Sequence, residues 1–412
     1  MRLVIVGNGV AGITTARGVV ERDPSAEVVV YSAEPFPYYP RPRLIDLLAG
    51  QVTPEQMPFY PESWYQERKI QTFLGQRVTK VLPAEHRLLL GDGSSVIYDQ
   101  LVLATGARAW VPPIPGCTLG GVYTLRTLHD ALALREGIRR SRHAVVLGGG
   151  LLGLDTAGAL RANGIGVTVV ELLPRLLPRQ LDEEGAGLLQ RLIEARGIEV
   201  ITGDSCAAIE GADHVQAVRL RSDRVIATDM VVISAGVRPN VDLAQEAGLA
   251  CGRGIVVDAR LRTSDPDIYA VGDAAEFNGV VWGIIPAALA QAQVAAAQIT
   301  GDSQATYQDI VPSTTLKVTG IDVTSVGEAI AKGDGLVEVR HVDPAAGVYH
   351  KLALRDGRVV GAIVIGDRSK VRLVNQLIAQ KSDVSAHVEA WRRHGLDLSA
   401  LQVAANREMR AR

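Results

Sequence analysis

A repeat constrains this chain more than any other feature. Residues 3–12 read LVIVGNGVAG and residues 144–153 read AVVLGGGLLG. Each copy is a short apolar strand running into G-x-G-x-x-G and then into a helical pattern. The glycines are Gly7, Gly9 and Gly12 in the first copy and Gly148, Gly150 and Gly153 in the second. In such a unit one glycine makes the tight turn, one lets backbone approach a pyrophosphate, and one packs helix on strand. The helix N-terminus then attracts the phosphates. A single motif of this kind is matched by many glycine-rich turns. Here each copy also has a second strand ending near an acid: Glu27 to Tyr31 leads to Glu34, and Val167 to Val170 ends at Glu171. A carboxylate there accepts hydrogen bonds from ribose hydroxyls. Two complete fingerprints predict two dinucleotide sites.

Composition excludes several function classes. The 412 residues carry 43 Lys and Arg against 45 Asp and Glu, a net charge of −2 that offers no general basic surface for nucleic acid. Three cysteines, Cys117, Cys206 and Cys251, are too few and scattered for a disulfide scaffold, which points to a reducing compartment, the cytoplasm. The N-terminal apolar run is broken by Gly7-Asn8-Gly9, so it reads as a strand and not as a signal peptide. The stretch Phe277 to Gly301 lacks charge but holds Pro286, Gln291, Gln293 and Gln298, which argues against a membrane span. None of the eight histidines has metal-ligand or triad spacing, so no metal is expected. The run Arg139-Arg140-Ser141-Arg142-His143 reads as a solvated helix end, with docking of an acidic protein as the alternative.

Shorter motifs lie between and after the repeats. Residues 98–106 read YDQLVLATG, Met230 to Gly236 forms a second strand with a glycine turn, and residues 263–273 read TSDPDIYAVGD. As an ordered set they resemble the two-dinucleotide-binding-domain flavoproteins, the pyridine nucleotide-disulfide oxidoreductases and their relatives, over roughly residues 1–367. The resemblance implies FAD at the first fingerprint, with Gly7, Gly9, Ala11, Gly12 and Glu34, and NAD(P)H at the second, with Gly148, Gly150, Gly153 and Glu171. It implies that Ala104, Thr105 and Gly106 line the passage between the two domains. Gly272 and Asp273 would meet the ribityl chain or pyrophosphate, Val78 the adenine, Arg126 the FAD, and Gly236 the nicotinamide nucleotide. Independently, Pro286 in the first turn of a helix beginning near Ile285 would leave unpaired N–H groups beside a flavin ring. The alternative is an ordinary amphipathic helix beside the core.

Glu171 favours the free 2′-hydroxyl of NADH, and NADPH is the less favoured cofactor. Arg175, four residues on, could in principle hold the 2′-phosphate of NADPH, but reads rather as a solvated loop residue. No Cys precedes Cys117, so the redox thiols of the disulfide reductases are missing and electrons can leave only from the flavin. The stretches YYPRPRL with LLAG at 38–50, LPRQLD at 177–182 and LKVTGIDVTSVG at 316–327 resemble the NADH:rubredoxin oxidoreductase subgroup and the flavin part of assimilatory nitrite reductase. The segment 349–367 reads as a hairpin with an Asp-Gly turn and fits a small third domain. Two positions depart from ferredoxin-reductase relatives, which pair a Lys with a Glu beside flavin N5. Here those positions are Asp46 and Asp155. Asp155 keeps a carboxylate near the nicotinamide, while Arg41, Arg43 or Lys317 could supply the positive charge. The alternative is that these three contact phosphate or solvent.

The expected fold is α/β: two Rossmann-like dinucleotide-binding domains, the second inserted in the first, plus a small C-terminal α+β domain. The expected boundaries are 1–110 with 240–305 for FAD, 111–239 for NAD(P)H, 306–380 for the interface domain and 381–412 for a tail with a short helix. The expected activity passes electrons from NADH through FAD to a small carrier such as rubredoxin or a ferredoxin-like protein, in a monomer or homodimer. The alternatives are an NADH oxidase, an electron-input subunit for nitrate or nitrite reduction, and a non-enzymatic nucleotide sensor.

Overall fold

A computed structural model describes residues 1–310, 313–330, 333, 335–398 and 401, without the side chains of residues 315–318. The chain divides into two compact units, Met1–Trp110 with Val237–Ile310, and Val111–Gly236 with Val311–Arg412.

In the first unit, the strand Arg2–Val6 lies at the centre of a five-stranded parallel sheet. Glu27–Ser32 and then Ile70–Leu74 flank it on one side, and Gln100–Leu103 and then Ile268–Ala270 on the other. Leu3 faces Val28 on one neighbour and Gln100 on the other. Leu3, Val4, Ile5, Val28, Val29 and Val30 have no exposed surface, which is why these strands read as unbroken apolar runs and not as alternating ones. The order reverses at the central strand, and ligands of such sheets bind beyond the strand ends at that point. The helix Val10–Arg22 leaves the central strand and packs on Ile285–Ile299 through small residues; a Cβ added to Gly18 would lie 2.8 Å from Ala296 Cβ. That second helix has 15 residues and follows strand and turn, so the charge-free stretch is no continuous helix. No helix among the described residues is long and apolar enough to cross a membrane.

The second unit repeats the plan. His143–Leu147 is central, with Gly166–Glu171 and Ile198–Thr202 on one side and Met230–Ile233 and Val122–Tyr123 on the other, all parallel. The duplication goes beyond the glycine motif. Each unit also carries a three-stranded antiparallel sheet, Val78–Leu82, Arg87–Leu90 and Ser95–Ile97 in the first, Cys206–Glu210, Ala217–Leu220 and Val225–Ala227 in the second. The fold is thus α/β with two Rossmann-like regions and a small C-terminal sheet.

That last sheet has five antiparallel strands in the order Ser313–Val318, Ile321–Gly327, Arg358–Ile365, Val348–Arg355, Leu336–Asp343. The hairpin turns at Asp356 and Gly357, both at positive φ (+50° and +73°), as a two-residue turn of this hand requires. The helices Val371–Ala379 and Ser385–His394 follow the sheet, and their Val374, Leu377 and Trp391 share its core with Leu396, Leu398 and Leu401. The expected domain end at 380 therefore falls inside a continuous core.

Candidate functional site

The two glycine turns have the same geometry, each within its own unit. Gly7 has φ +117°, and a Cβ there would lie 2.1 Å from the carbonyl oxygen of Ala104. Gly148 has φ +122°, and a Cβ there would lie 2.3 Å from the carbonyl oxygen of Ser234. A Cβ on Gly12 or Gly153 would lie 2.0 Å from the carbonyl oxygen of Gly7 or Gly148 respectively, so these glycines seat each helix on its own turn. By contrast, a Cβ on Gly9 or Gly150 would meet nothing within 4 Å. Both are N-cap residues, each helix start has no side-chain cap, and neither has an acid in its first turn. Backbone N–H groups and the positive end of each helix therefore face open space, the arrangement that holds a pyrophosphate.

Further residues gather around the first turn. A Cβ on Gly272, at φ +74°, would lie 2.8 Å from Ala11 Cβ. The Gly272 N–H donates to Gln291 Oε1 at 2.8 Å, so a fully buried glutamine fixes the turn that presents Asp273. Thr105 Oγ1 donates to the Asn240 carbonyl at 2.7 Å, and Asn240 Nδ2 donates back to the Thr105 carbonyl at 2.9 Å, beside Gly106 at φ +66°. The sequence motifs do not mark Gln291 and Asn240 as site residues. The signal for Gln291 is its place among alanines on a buried helix face; Asn240 follows a glycine turn and has no comparable signal. Both amide atoms of Asn8 are buried without a partner among the described residues, and a buried amide normally finds one. An orphaned amide beside an open turn fits a polar dinucleotide.

Glu34 accepts from the Tyr39 hydroxyl and from Arg41 Nη2 at 3.0 Å. Arg43 begins a short helix and donates to the Gln56 carbonyl at 2.9 Å. Val78 is buried at the start of the small antiparallel sheet. The helix Ile285–Ile299 has Pro286 in its first turn, no side-chain cap and no acid, with Ile285 exposed at its start.

In the second unit Glu171 is buried and accepts from Gly149 N–H at 2.7 Å and Leu173 N–H at 2.8 Å. It is thus built into the turn, and each carboxylate oxygen keeps a further lone pair to accept a hydrogen bond. Arg175 corrects the sequence reading. It is half-buried and not solvated, because its guanidinium turns back on its own loop, donating to the carbonyls of Leu181 (3.1 Å) and Pro178 (3.2 Å). Gly236 stands at φ +101° with open space where a Cβ would be. Arg126 precedes Thr127, the cap of helix Leu128–Ile138, and its backbone N–H donates to Asp130. Lys317 lies on the strand Ser313–Val318, and its side chain is outside the described residues. Arg139 and Arg140 both pair with Glu136 on the exposed helix end.

Asp155 lies one turn into the helix Leu151–Ala162, and burial pushes its carboxyl up to about 7. No donor or cation among the described residues reaches it. Because the folded pKa is raised, the neutral acid is favoured by folding: the stabilisation is present below the ordinary carboxylate range and is lost as pH rises towards 7. Replacing Asp155 with Asn should therefore leave stability nearly unchanged at pH 4. At pH 8 it should raise stability by about 1–2 kcal/mol after screening by solvent. Denaturant melts at the two pH values check this, and an equal effect at both would contradict it.

The three thiols are half-buried. Burial pushes Cys206 up to about 11 and raises Cys251, so neither is a ready thiolate at neutral pH. Among the described residues no group of His, Cys, Asp and Glu could hold a metal ion.

The chain matches the family profile described as "pyridine nucleotide-disulphide oxidoreductase" over residues 1–298, and the "rubredoxin NAD+ reductase C-terminal domain" over residues 312–382. It is 34% identical over 386 residues to the assimilatory nitrate reductase electron transfer subunit of Bacillus subtilis (strain 168), covering 93% of this chain and 50% of that protein. It is 34% identical to the rubredoxin-NAD(+) reductase of Ectopseudomonas oleovorans, over 74% of this chain and 81% of that one. The crystal structure of the ferredoxin reductase for the CYP199A2 system from Rhodopseudomonas palustris superposes with a TM-score of 0.87 at 30% identity, covering 97% and 98% of the two chains. The chain spans half or less, 41–50%, of the length of four curated nitrate and nitrite reductase relatives.

Proposed function

This chain belongs to the pyridine nucleotide-disulphide oxidoreductase family, and on that premise we propose that it is an FAD-dependent NADH oxidoreductase serving a small one-electron carrier such as rubredoxin or a ferredoxin, in the cytoplasm. The observation that carries the reading is the pair of equivalent open glycine cradles, found in a chain whose three cysteines form no disulfide.

FAD, when bound, supplies an acceptor for hydride from NADH and a donor of single electrons to the carrier. The protein's part is binding and orientation. Gly7, Gly9, Ala11 and Gly12 would hold the FAD pyrophosphate on the first helix end, with Glu34 and Arg41 towards the ribose, Val78 by the adenine and Asp273 on the ribityl side. Arg43, Arg126, Ala104, Thr105 and Gly106 complete that set. The start of helix Ile285–Ile299 is a positive end that favours negative charge on a bound ring. Gly148, Gly150 and Gly153 would hold the NADH pyrophosphate, with Gly236 near its nicotinamide and Asp155 keeping a carboxyl group in that domain.

The preference for NADH over NADPH rests on Glu171. It is buried and bonded by two backbone N–H groups, so it cannot swing away from a 2′-phosphate, and Arg175 is committed to its own loop. Measuring kcat/KM with both nucleotides tests this; equal use of the two would remove the premise.

The test of the whole reading is anaerobic mixing of the yellow protein with NADH, followed by oxidised rubredoxin or by air. Fast bleaching and reoxidation by rubredoxin far faster than by air supports the carrier reading. Reoxidation mainly by air favours an NADH oxidase, a name that a relative of 32% identity from Methanocaldococcus jannaschii carries. Absence of bleaching with either nucleotide overturns the enzyme reading.

A further inference from the structure

Between Glu171 and the helix Glu183–Glu194 the chain runs through a loop that grips the second glycine turn. Leu177 N–H donates to the Gly149 carbonyl at 3.1 Å, with Leu177 held in the left-handed region at φ +46°. Leu176 is fully buried, and a Cβ on Gly149 would lie 2.6 Å from its Cδ2. Leu173 N–H bonds Glu171, and Arg175 bonds the carbonyls of Pro178 and Leu181. The loop closes at Asp182, whose side chain caps the helix by accepting from Gly185 N–H at 3.0 Å. This is the LPRQLD stretch, residues 177–182.

The other side of Asp182 is held by the C-terminal sheet. Lys351, only 2% exposed, places Nζ 2.9 Å from Asp182 Oδ2 and 2.5 Å from Glu338 Oε1. The Tyr349 hydroxyl donates to the same Asp182 oxygen at 2.7 Å. Arg340 pairs with Glu184 at 2.9 Å, in the first turn of the same helix. An ammonium removed from water is costly unless its partners are well placed, so this cluster is satisfied only when loop and strand keep one relative position. A simple anchor could be apolar. A buried cation with two carboxylates and a tyrosine fixes the end of the loop in position as well as depth.

We propose that Lys351, with Tyr349, is a positioning residue for the dinucleotide: by holding Asp182 from the C-terminal sheet, it sets the loop that fixes the Gly149 turn and Glu171. The inference rests on the reading of the second cradle as the NADH site. Neither residue belongs to that cradle, so their effect must pass through the loop.

The experiment compares the full-length flavoprotein with its Tyr349→Phe and Lys351→Met variants, reading KM for NADH, kcat, flavin content and melting temperature. The expected result is a KM raised about fivefold by Tyr349→Phe and about twentyfold by Lys351→Met, with kcat at saturating NADH and flavin content unchanged. Glu338→Gln, which removes a partner of Lys351 but leaves the Asp182 contact, should shift KM less than Tyr349→Phe. Lowered melting temperatures with an unchanged KM would overturn the proposal, and so would a loss confined to kcat. If Lys351→Met does not fold, the Tyr349→Phe and Glu338→Gln pair decides by the same readings. No saturable NADH binding by the unmodified protein would remove the underlying reading, and the inference with it.

Discussion

Gly7→Ala is expected to yield a colourless protein, and Gly148→Ala a yellow protein that NADH bleaches poorly. The reason is the same at both turns. A methyl group at Gly7 would sit 2.1 Å from a backbone oxygen, and one at Gly148 would sit 2.3 Å from another, distances that no rotamer can relieve. The left-handed φ of +117° or +122° adds strain whatever the space. Together these cost about 3 kcal/mol or more if the turn keeps its shape, so the turn will shift. A shift carries the uncapped N–H groups away from the phosphates, and the corresponding affinity should fall roughly 100-fold. The two variants separate the cradles. Flavin content by absorbance reports the first, and NADH titration of the yellow Gly148→Ala protein reports the second. Loss of flavin from Gly148→Ala, or full flavin in Gly7→Ala, would mean that the assignment of cofactor to cradle is wrong. Gly9→Ala and Gly150→Ala are useful companions, since a Cβ there meets only open space and folding should be unaffected while the bound pyrophosphate is crowded.

The second large effect is expected for Glu171→Ala. The variant should bind NADH on the order of 100-fold more weakly while its affinity for NADPH changes little. The carboxylate is 8% exposed and holds two backbone N–H groups. Its removal leaves both donors unpaired, at about 1–3 kcal/mol for each buried group, and also takes away the ribose acceptor. NADPH gains in compensation because the repulsion of its 2′-phosphate disappears. Comparing kcat/KM for the two nucleotides checks the result. A parallel loss with both would make Glu171 a loop anchor and nothing more. The Glu171→Arg variant extends the test: introducing a guanidinium should turn the preference towards NADPH, which Arg175 cannot do because it is tied to Leu181 and Pro178.

Much of the architecture was legible in the linear chain. Strands with no exposed surface leave continuous β-branched runs, glycine turns leave fixed spacings, and both occur twice. The Asp356-Gly357 turn could be read directly because two successive positive φ values demand such residues. The absence of a cysteine before Cys117 narrowed the chemistry without any coordinates. The helix start at Pro286 was legible for a similar reason, as proline suits only the first turn.

Other features depended on distance in space between residues far apart in sequence. Arg175 reads as a free cation beside an acid, and only the folded loop shows its charge spent on two carbonyls. Gln291 lies 19 positions from the Gly272 N–H it fixes, and Asn240 lies 135 positions from Thr105. Lys351 lies 169 positions from Asp182. No periodicity or local propensity encodes such pairs, since each follows from the way sheets and helices close on one another. By itself, then, the sequence determined the two Rossmann-like folds, their glycine turns and the absence of a cysteine before Cys117, because these depend on local backbone geometry and composition. Which polar side chains hold those turns in place was decided only by tertiary structure, because burial and partner distance exist only once the chain is packed.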